Sequence, residues 1–236
     1  MIAIGLMAIF VGALVFLKPA PESLKAPSLS YWQNTRAVSG SLLAGVFVLF
    51  VYFFTSDFIG LVVDERWYQR LASSNQSDDL VSALYQLITS SFIHSNFLHV
   101  SSNVLGLALL SIYERRVGLN RYLAVLSVGI IVSSPSAFFY PEPLTVCGIS
   151  GGVFALGAAF FTDHENLSIK EWLLAILLFV VITAGLMFDS YLKGPQADAL
   201  TGEVDHIGHA LGALGGIIYC RLFRLKEPQL NTSTPK

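Results

Sequence analysis

Gly148-Ile149-Ser150-Gly151-Gly152 runs without a break into Val153-Phe154-Ala155-Leu156-Gly157-Ala158-Ala159, and the fold turns on what that apolar run is. A serine flanked by residues without side chains suits an exposed nucleophile, because the backbone there can come close to a substrate. In a soluble hydrolase such a serine sits on a strand-turn-helix. Here it opens a hydrophobic stretch, so it reads as the head of a helix within a membrane. The chain around it agrees: of 236 residues 54% are hydrophobic and 13% charged, and the mean hydropathy is +0.64. Soluble domains carry about a quarter charged residues. The expected fold is therefore all-α, a polytopic membrane helix bundle. A net charge of −2 offers no basic face for a nucleic acid.

A bilayer core about 30 Å thick takes roughly 20 apolar helical residues. Working outward from Ser150, the candidate spans are 2–17, 41–55, 97–113, 122–140, 150–162, 172–188 and 206–223. Several are short or carry polar residues, which in a membrane face a bundle interior or a wet cavity. Eleven of the fourteen lysines and arginines fall in segments 18–40, 114–121, 163–171 and 221–236, and three in the alternating segments 64–93, 141–146 and 189–205. The positive-inside rule puts the first set in the cytoplasm and the second outside. Ser150 then lies toward the outer side, in a multi-pass protein of a bacterial cytoplasmic membrane.

The N-terminal segment 2–17 lacks the basic start and small-residue cleavage site of a secretory signal. It reads as an extra helix, followed by a linker with three prolines between 19 and 40. The expected domains are 1–40 for this helix and linker, 41–223 for a six-helix core, and 224–236 for a polar cytoplasmic tail. In the long first outer loop, Leu80, Ala83, Leu84, Leu87 and Ile88 share a helix face, which suggests an amphipathic helix at the membrane surface or one packed on the bundle.

His209, Gly212 and Gly216 lie at i, i+3 and i+7, on one face of the last span. Glycines on that face let another helix come unusually close, and the Ser150 helix offers Gly151, Ala155, Ala158 and Ala159 in return. Two such helices can hold a nucleophile and a base within hydrogen-bonding range. His99 and Asn103, one turn apart, present two donors in one direction. Alone, the pair is better explained as polar contacts between helices. Beside a serine nucleophile it offers donors for a developing oxyanion, worth roughly 3–4 kcal/mol each. Phe154, one turn after Ser150, can stack on an imidazole or simply pack. Cys147 and Cys220 form no disulfide framework, and Cys147 reads as an inert small hydrophobe, not a rival nucleophile. Asp205, His206 and His209 lack a full ligand set, so no metal is expected.

Four ordered motifs carry a resemblance: His94-x4-His99-x3-Asn103, Glu114-Arg115-Arg116-Val117-Gly118, Gly148-Ile149-Ser150-Gly151 and His209-x2-Gly212-x3-Gly216. Together they resemble the rhomboid family of intramembrane serine proteases. The resemblance implies a dyad, with Ser150 as nucleophile and His209 as general base and then acid. It implies an oxyanion hole from His99, Asn103 and the Ser150 N–H. It implies supporting roles for His94, which would brace the first outer loop, for Phe154 and for Gly148, Gly151, Gly212 and Gly216. No cofactor is implied. The implied partners are the lipid bilayer and transmembrane protein substrates, which would arrive laterally past the fifth helix and the 189–205 loop. Three departures stand out. Tyr85-Gln86 occupies the place where many members have Trp-Arg, the N-terminal helix is additional, and His206 is a second candidate base. The alternative to a protease is a catalytically inactive member that binds transmembrane helices as an adaptor.

Overall fold

The computed structural model describes residues 2–19, 28–76, 79–141, 143–163 and 204–225. The candidate span 172–188, most of the 189–205 loop and the tail from 226 lie outside the described residues. The chain is a helix bundle. Its elements are α1 Ile2–Phe16, α2 Tyr31–Ala37, α3 Ser39–Thr55, α4 Glu65–Leu71, α5 Leu80–Thr89, α6 Phe97–Val117, α7 Leu119–Ser133, α8 Ser150–Thr162 and α9 His206–Leu222. A 3-10 helix, Ser134–Phe139, prolongs α7. Strand β1, Ser73–Ser74, pairs antiparallel with β2, Thr145–Val146, placing Ser73 opposite Val146.

Helix α6, and α7 taken with its 3-10 extension, each have 21 residues, about 31 Å at 1.5 Å per residue, enough to cross a bilayer core. The pair α2 and α3, bent by 73°, makes a third candidate span. The stretch expected as a linker thus contains a helix, because Ser30 and Gln33 form a reciprocal capping box that starts α2. Large apolar side chains point outward along the bundle, among them Leu43, Phe50, Phe54, Leu105, Ile112 and Ile131. Such a surface belongs in lipid, not water. The protein is an integral membrane protein.

Three local devices fix the bundle. The first caps α3 from another helix: the buried Glu114 carboxylate on α6 accepts from Gly40 N at 2.7 Å and from Ser41 N and Ser41 Oγ at 2.8 Å. These are orphan donors of a helix N-terminus, where negative charge is favoured. The second fastens α1. Asn34, fully buried, donates to Leu14 O at 2.9 Å and Val15 O at 2.8 Å, and the Phe10 ring fills the space a side chain would need at Gly45.

The third sits at the far end of the helix that carries Ser150. Arg121 on α7 meets Asp163 through Nε at 2.7 Å and Nη2 at 2.6 Å, and reaches Phe223 O at 2.6 Å. Tyr113 donates to the same carboxylate at 2.6 Å. One guanidinium therefore joins the C-terminal ends of α8 and α9.

The loop helix α5 is amphipathic as expected, with its apolar face turned outward. Leu80, Val81, Leu84 and Ile88 are exposed, while Gln86 is buried. Gln86 Nε2 donates to Gln69 O at 3.4 Å and Arg70 O at 3.3 Å. The departure at Tyr85-Gln86 thus leaves an inward amide that ties α5 to α4.

Candidate active site

Helix α8 has 13 residues, so it rises only about 20 Å. That is roughly 10 Å less than the 30 Å thickness of a bilayer core. Ser150 is its first residue, at the end away from Arg121. The chain reaches it through Gly148, whose φ of +105° lies in the left-handed region that favours glycine. Gly148 N donates to Ser90 O at 2.8 Å, which ties this loop to the first outer loop. Among the described residues no side chain caps the start of α8.

Helix α9 delivers His209. Its Nε2 lies 2.8 Å from Ser150 Oγ, a good hydrogen-bond distance. The Phe154 ring stacks on the imidazole with centroids 4.2 Å apart and planes 12° apart, which fixes the ring plane. The approach of the two helices depends on their small residues. A Cβ on Gly212 would overlap Gly151 O, and one on Gly216 would overlap Ala155 O. Gly151 in turn is closed off by Ser133 of α7. The alternative base, His206, is exposed at the start of α9.

His99 and Asn103 come from α6 and sit against the same loop. A Cβ on Gly148 would lie 2.6 Å from His99 Nε2 and 3.6 Å from Asn103 Nδ2. Both side chains are thus gathered two residues before Ser150. Asn103 Nδ2 donates to His99 O at 3.1 Å, and His99 Nδ1 lies 3.3 Å from Ser95 Oγ. His94 is fully buried, with Nδ1 3.3 Å from Phe92 O and its ring edge-on to His99 at 4.9 Å. Burial, and secondarily His99, hold the His94 imidazole well below the ordinary histidine range. It is neutral at physiological pH.

Cys147, in the loop beside Ser150, has its thiol pushed up to about 12 by burial. At neutral pH it is a thiol, not a thiolate, and a poor nucleophile. A small cavity of about 20 Å³ opens beside Ser150, lined by Ser90, Ser91, Ser134, Ser136, Cys147 and Asp205 among others. That is room for one water molecule among polar partners.

In the sequence Asp205 stands out only as part of an incomplete metal-ligand set with His206 and His209. In the structure it is the N-cap of α9, bonded through its side chain to Gly208 N, and it meets Ser136 and Tyr140 of the segment that leads to Ser150. The signal was present: an aspartate directly before an apolar, glycine-spaced helix is an N-cap pattern.

Two comparisons bear on this arrangement. Residues 81–226 match the family model of the Rhomboid domain. Rhomboid-like protein 11, chloroplastic, from Arabidopsis thaliana, is 29% identical over 148 residues, covering 58% of this chain and 51% of its own length. The chain thus spans about half the length of that curated relative.

Proposed function

This chain belongs to the rhomboid family, and from that membership we propose that it is an intramembrane serine endopeptidase that cuts transmembrane segments of other membrane proteins. The observation that carries the reading is the 2.8 Å contact between Ser150 Oγ and His209 Nε2, made by helices whose glycines permit it. In this reading His209 Nε2 takes the Ser150 proton as Oγ attacks the scissile carbonyl carbon. The carbonyl oxygen becomes an oxyanion, met by the Ser150 N–H and by donors from His99 and Asn103. His209 then gives its proton to the departing amine, leaving an acyl-enzyme. A water from the cavity beside Ser150 attacks the ester, losing its proton to His209, and Ser150 is restored. Phe154 holds the imidazole plane throughout.

The substrate is a peptide bond in a membrane-spanning segment. Inside lipid a helix keeps its backbone satisfied, so it must unwind locally before a carbonyl reaches Ser150. Small or helix-breaking residues near the cut lower that cost, by about 1 kcal/mol for glycine and about 3 for proline relative to alanine. The basic residues Arg115, Arg116 and Arg121 gather at the opposite end of the bundle, and the positive-inside rule assigns that end to the cytoplasm. The active site then opens away from it, which in a bacterial cytoplasmic membrane is the outer side.

The competing reading, an inactive member that binds transmembrane helices, has no need of a serine hydroxyl on an imidazole. A fluorophosphonate probe separates the two. The protease reading expects covalent labelling of Ser150 in the wild type, and none in Ser150→Ala or His209→Ala. Absence of labelling in folded wild-type protein, or equal labelling in Ser150→Ala, contradicts it.

A further inference from the structure

The helix that bears His209 begins on a set of contacts that the dyad alone does not explain. The first four N–H groups of an α-helix have no partners within it. In α9 three of them have one: His206 N donates to Val204 O at 2.9 Å, Ile207 N to the Tyr140 hydroxyl at 3.1 Å and Gly208 N to Asp205 Oδ1 at 2.8 Å, after which His209 N makes the first regular helical bond, to Asp205 O at 3.1 Å. The Tyr140 hydroxyl donates onward to Asp205 Oδ1 at 3.2 Å, and Ser136 Oγ donates to Asp205 Oδ2. Ser136 and Tyr140 belong to the turn that ends α7 and leads through β2 to Gly148 and Ser150. That turn is itself pinned: Asn75 Nδ2 donates to Tyr140 O at 3.2 Å, and Asn75 Oδ1 accepts from Leu144 N at 2.9 Å. The segment that delivers the nucleophile is thus bolted directly to the first turn of the helix that delivers the base. There is no slack at the joint, because a Cβ on Gly208 would collide with the Asp205 carboxylate and come within 3.0 Å of Ser136 Oγ.

We propose that Asp205, held by Ser136 and Tyr140, is a positioning residue that sets His209 against Ser150. It touches no substrate. It acts by fixing the rotation and height of the first turn of α9, from which His209 projects. Glycines along α9 allow close packing but leave the helix free to slide, and the Asp205 joint removes that freedom at the end where a shift would separate Nε2 from Oγ. A misplacement of about 1 Å at such a pair costs on the order of 100-fold in rate. This deepens the protease reading and rests on it, but the joint has a readout that needs no catalysis.

The test is a nitrogen NMR spectrum of protein labelled at histidine, in detergent micelles, with the His209 ring signal assigned by its loss in His209→Ala. Ser150→Ala gives the position of that signal without its partner. Asp205→Ala is expected to move the signal toward that position with Ser150 still present, and Tyr140→Phe and Ser136→Ala to move it part of the way. In parallel, Asp205→Ala lowers kcat on a single-span test substrate about 100-fold with KM within about 2-fold. Asp205→Asn keeps an acceptor for Gly208 N and recovers much of both readouts. It also serves if Asp205→Ala fails to fold. Asp79→Ala removes the N-cap of α5, away from the site, and is the control: it lowers thermal stability and leaves the His209 signal in place. An unmoved His209 signal in folded Asp205→Ala and Tyr140→Phe, or a signal that Asp79→Ala moves equally, overturns the proposal. Wild-type protein that cuts nothing while Asp205→Ala still shifts the signal would sink the protease reading and leave the positioning role standing.

Discussion

Gly212→Ala is a single methyl group placed where two backbones touch. An ideal Cβ at Gly212 overlaps Gly151 O and lies 2.8 Å from both Gly151 C and Cα. Ordinary contact begins near 3.4 Å, so α8 and α9 must part by about 0.6 Å or more, and backbone cannot rotate away as a side chain can. Gly151 follows Ser150 directly, and His209 precedes Gly212 by one turn. The displacement therefore reaches the Ser150–His209 contact almost undiluted. A hydrogen bond of 2.8 Å lengthens to about 3.4 Å or beyond, at the edge of what counts as one. Overpacking should cost about 1–3 kcal/mol of stability, and the misplaced base should cost kcat on the order of 100-fold. The assay is cleavage of a single-span substrate in liposomes, with thermal unfolding measured alongside. Gly157→Ala is the companion variant, because among the described residues a Cβ there meets nothing within 4 Å. It should leave activity unchanged. Gly212→Ala that folds and cuts within about 3-fold of wild type would refute the argument that these glycines set the dyad distance.

Other expectations follow from the same geometry. Arg121→Ala leaves the Asp163 carboxylate, whose side chain is 7% exposed, without its cation. Removing one partner of a buried pair costs about 3–5 kcal/mol, so thermal unfolding should shift strongly downward, and Asp163→Asn in the same chain should return part of the loss. Glu114→Gln weakens the cap on α3, where charge-assisted bonds contribute about 1.5–3 kcal/mol each. Folded protein should keep its kcat, while a denaturant midpoint falls. His94, held below its ordinary range by burial, stays neutral in the fold where an unfolded chain would take up a proton. Its contribution is present above pH about 6.5 and is lost as pH falls below that value, at up to about 1.4 kcal/mol per unit. A stability titration from pH 7.5 to 5 should show this slope, and His94→Gln should flatten it.

The candidate residues Ser150 and His209 were legible in the sequence because each had a reason visible along one dimension. Ser150 had neighbours without side chains, and His209 shared a helix face with Gly212 and Gly216. Composition and charge pattern were enough for a membrane bundle. What escaped was contact between segments far apart in the chain. The capping of α3 by Glu114 spans more than seventy residues, and the meeting of Asp205 with Ser136 and Tyr140 nearly as many. The pairing of Ser73 with Val146 joins two strands too short to leave a periodic signature. Helix α2 was hidden by the prolines before it, although Ser30 and Gln33 spell its capping box. Asp205 stands out along the chain only beside His206 and His209, as an incomplete ligand set. Only the donors gathered around its carboxylate give it a role.

The central claim, that this chain is a protease working within the bilayer, is tested most directly by cleavage itself. Purified protein is reconstituted with a single-span substrate in liposomes, and the products are located by mass spectrometry. The account predicts one cut inside the membrane-spanning segment with wild-type protein, and none with Ser150→Ala or His209→Ala. Intact substrate with folded wild type, or the same products from Ser150→Ala, would contradict it.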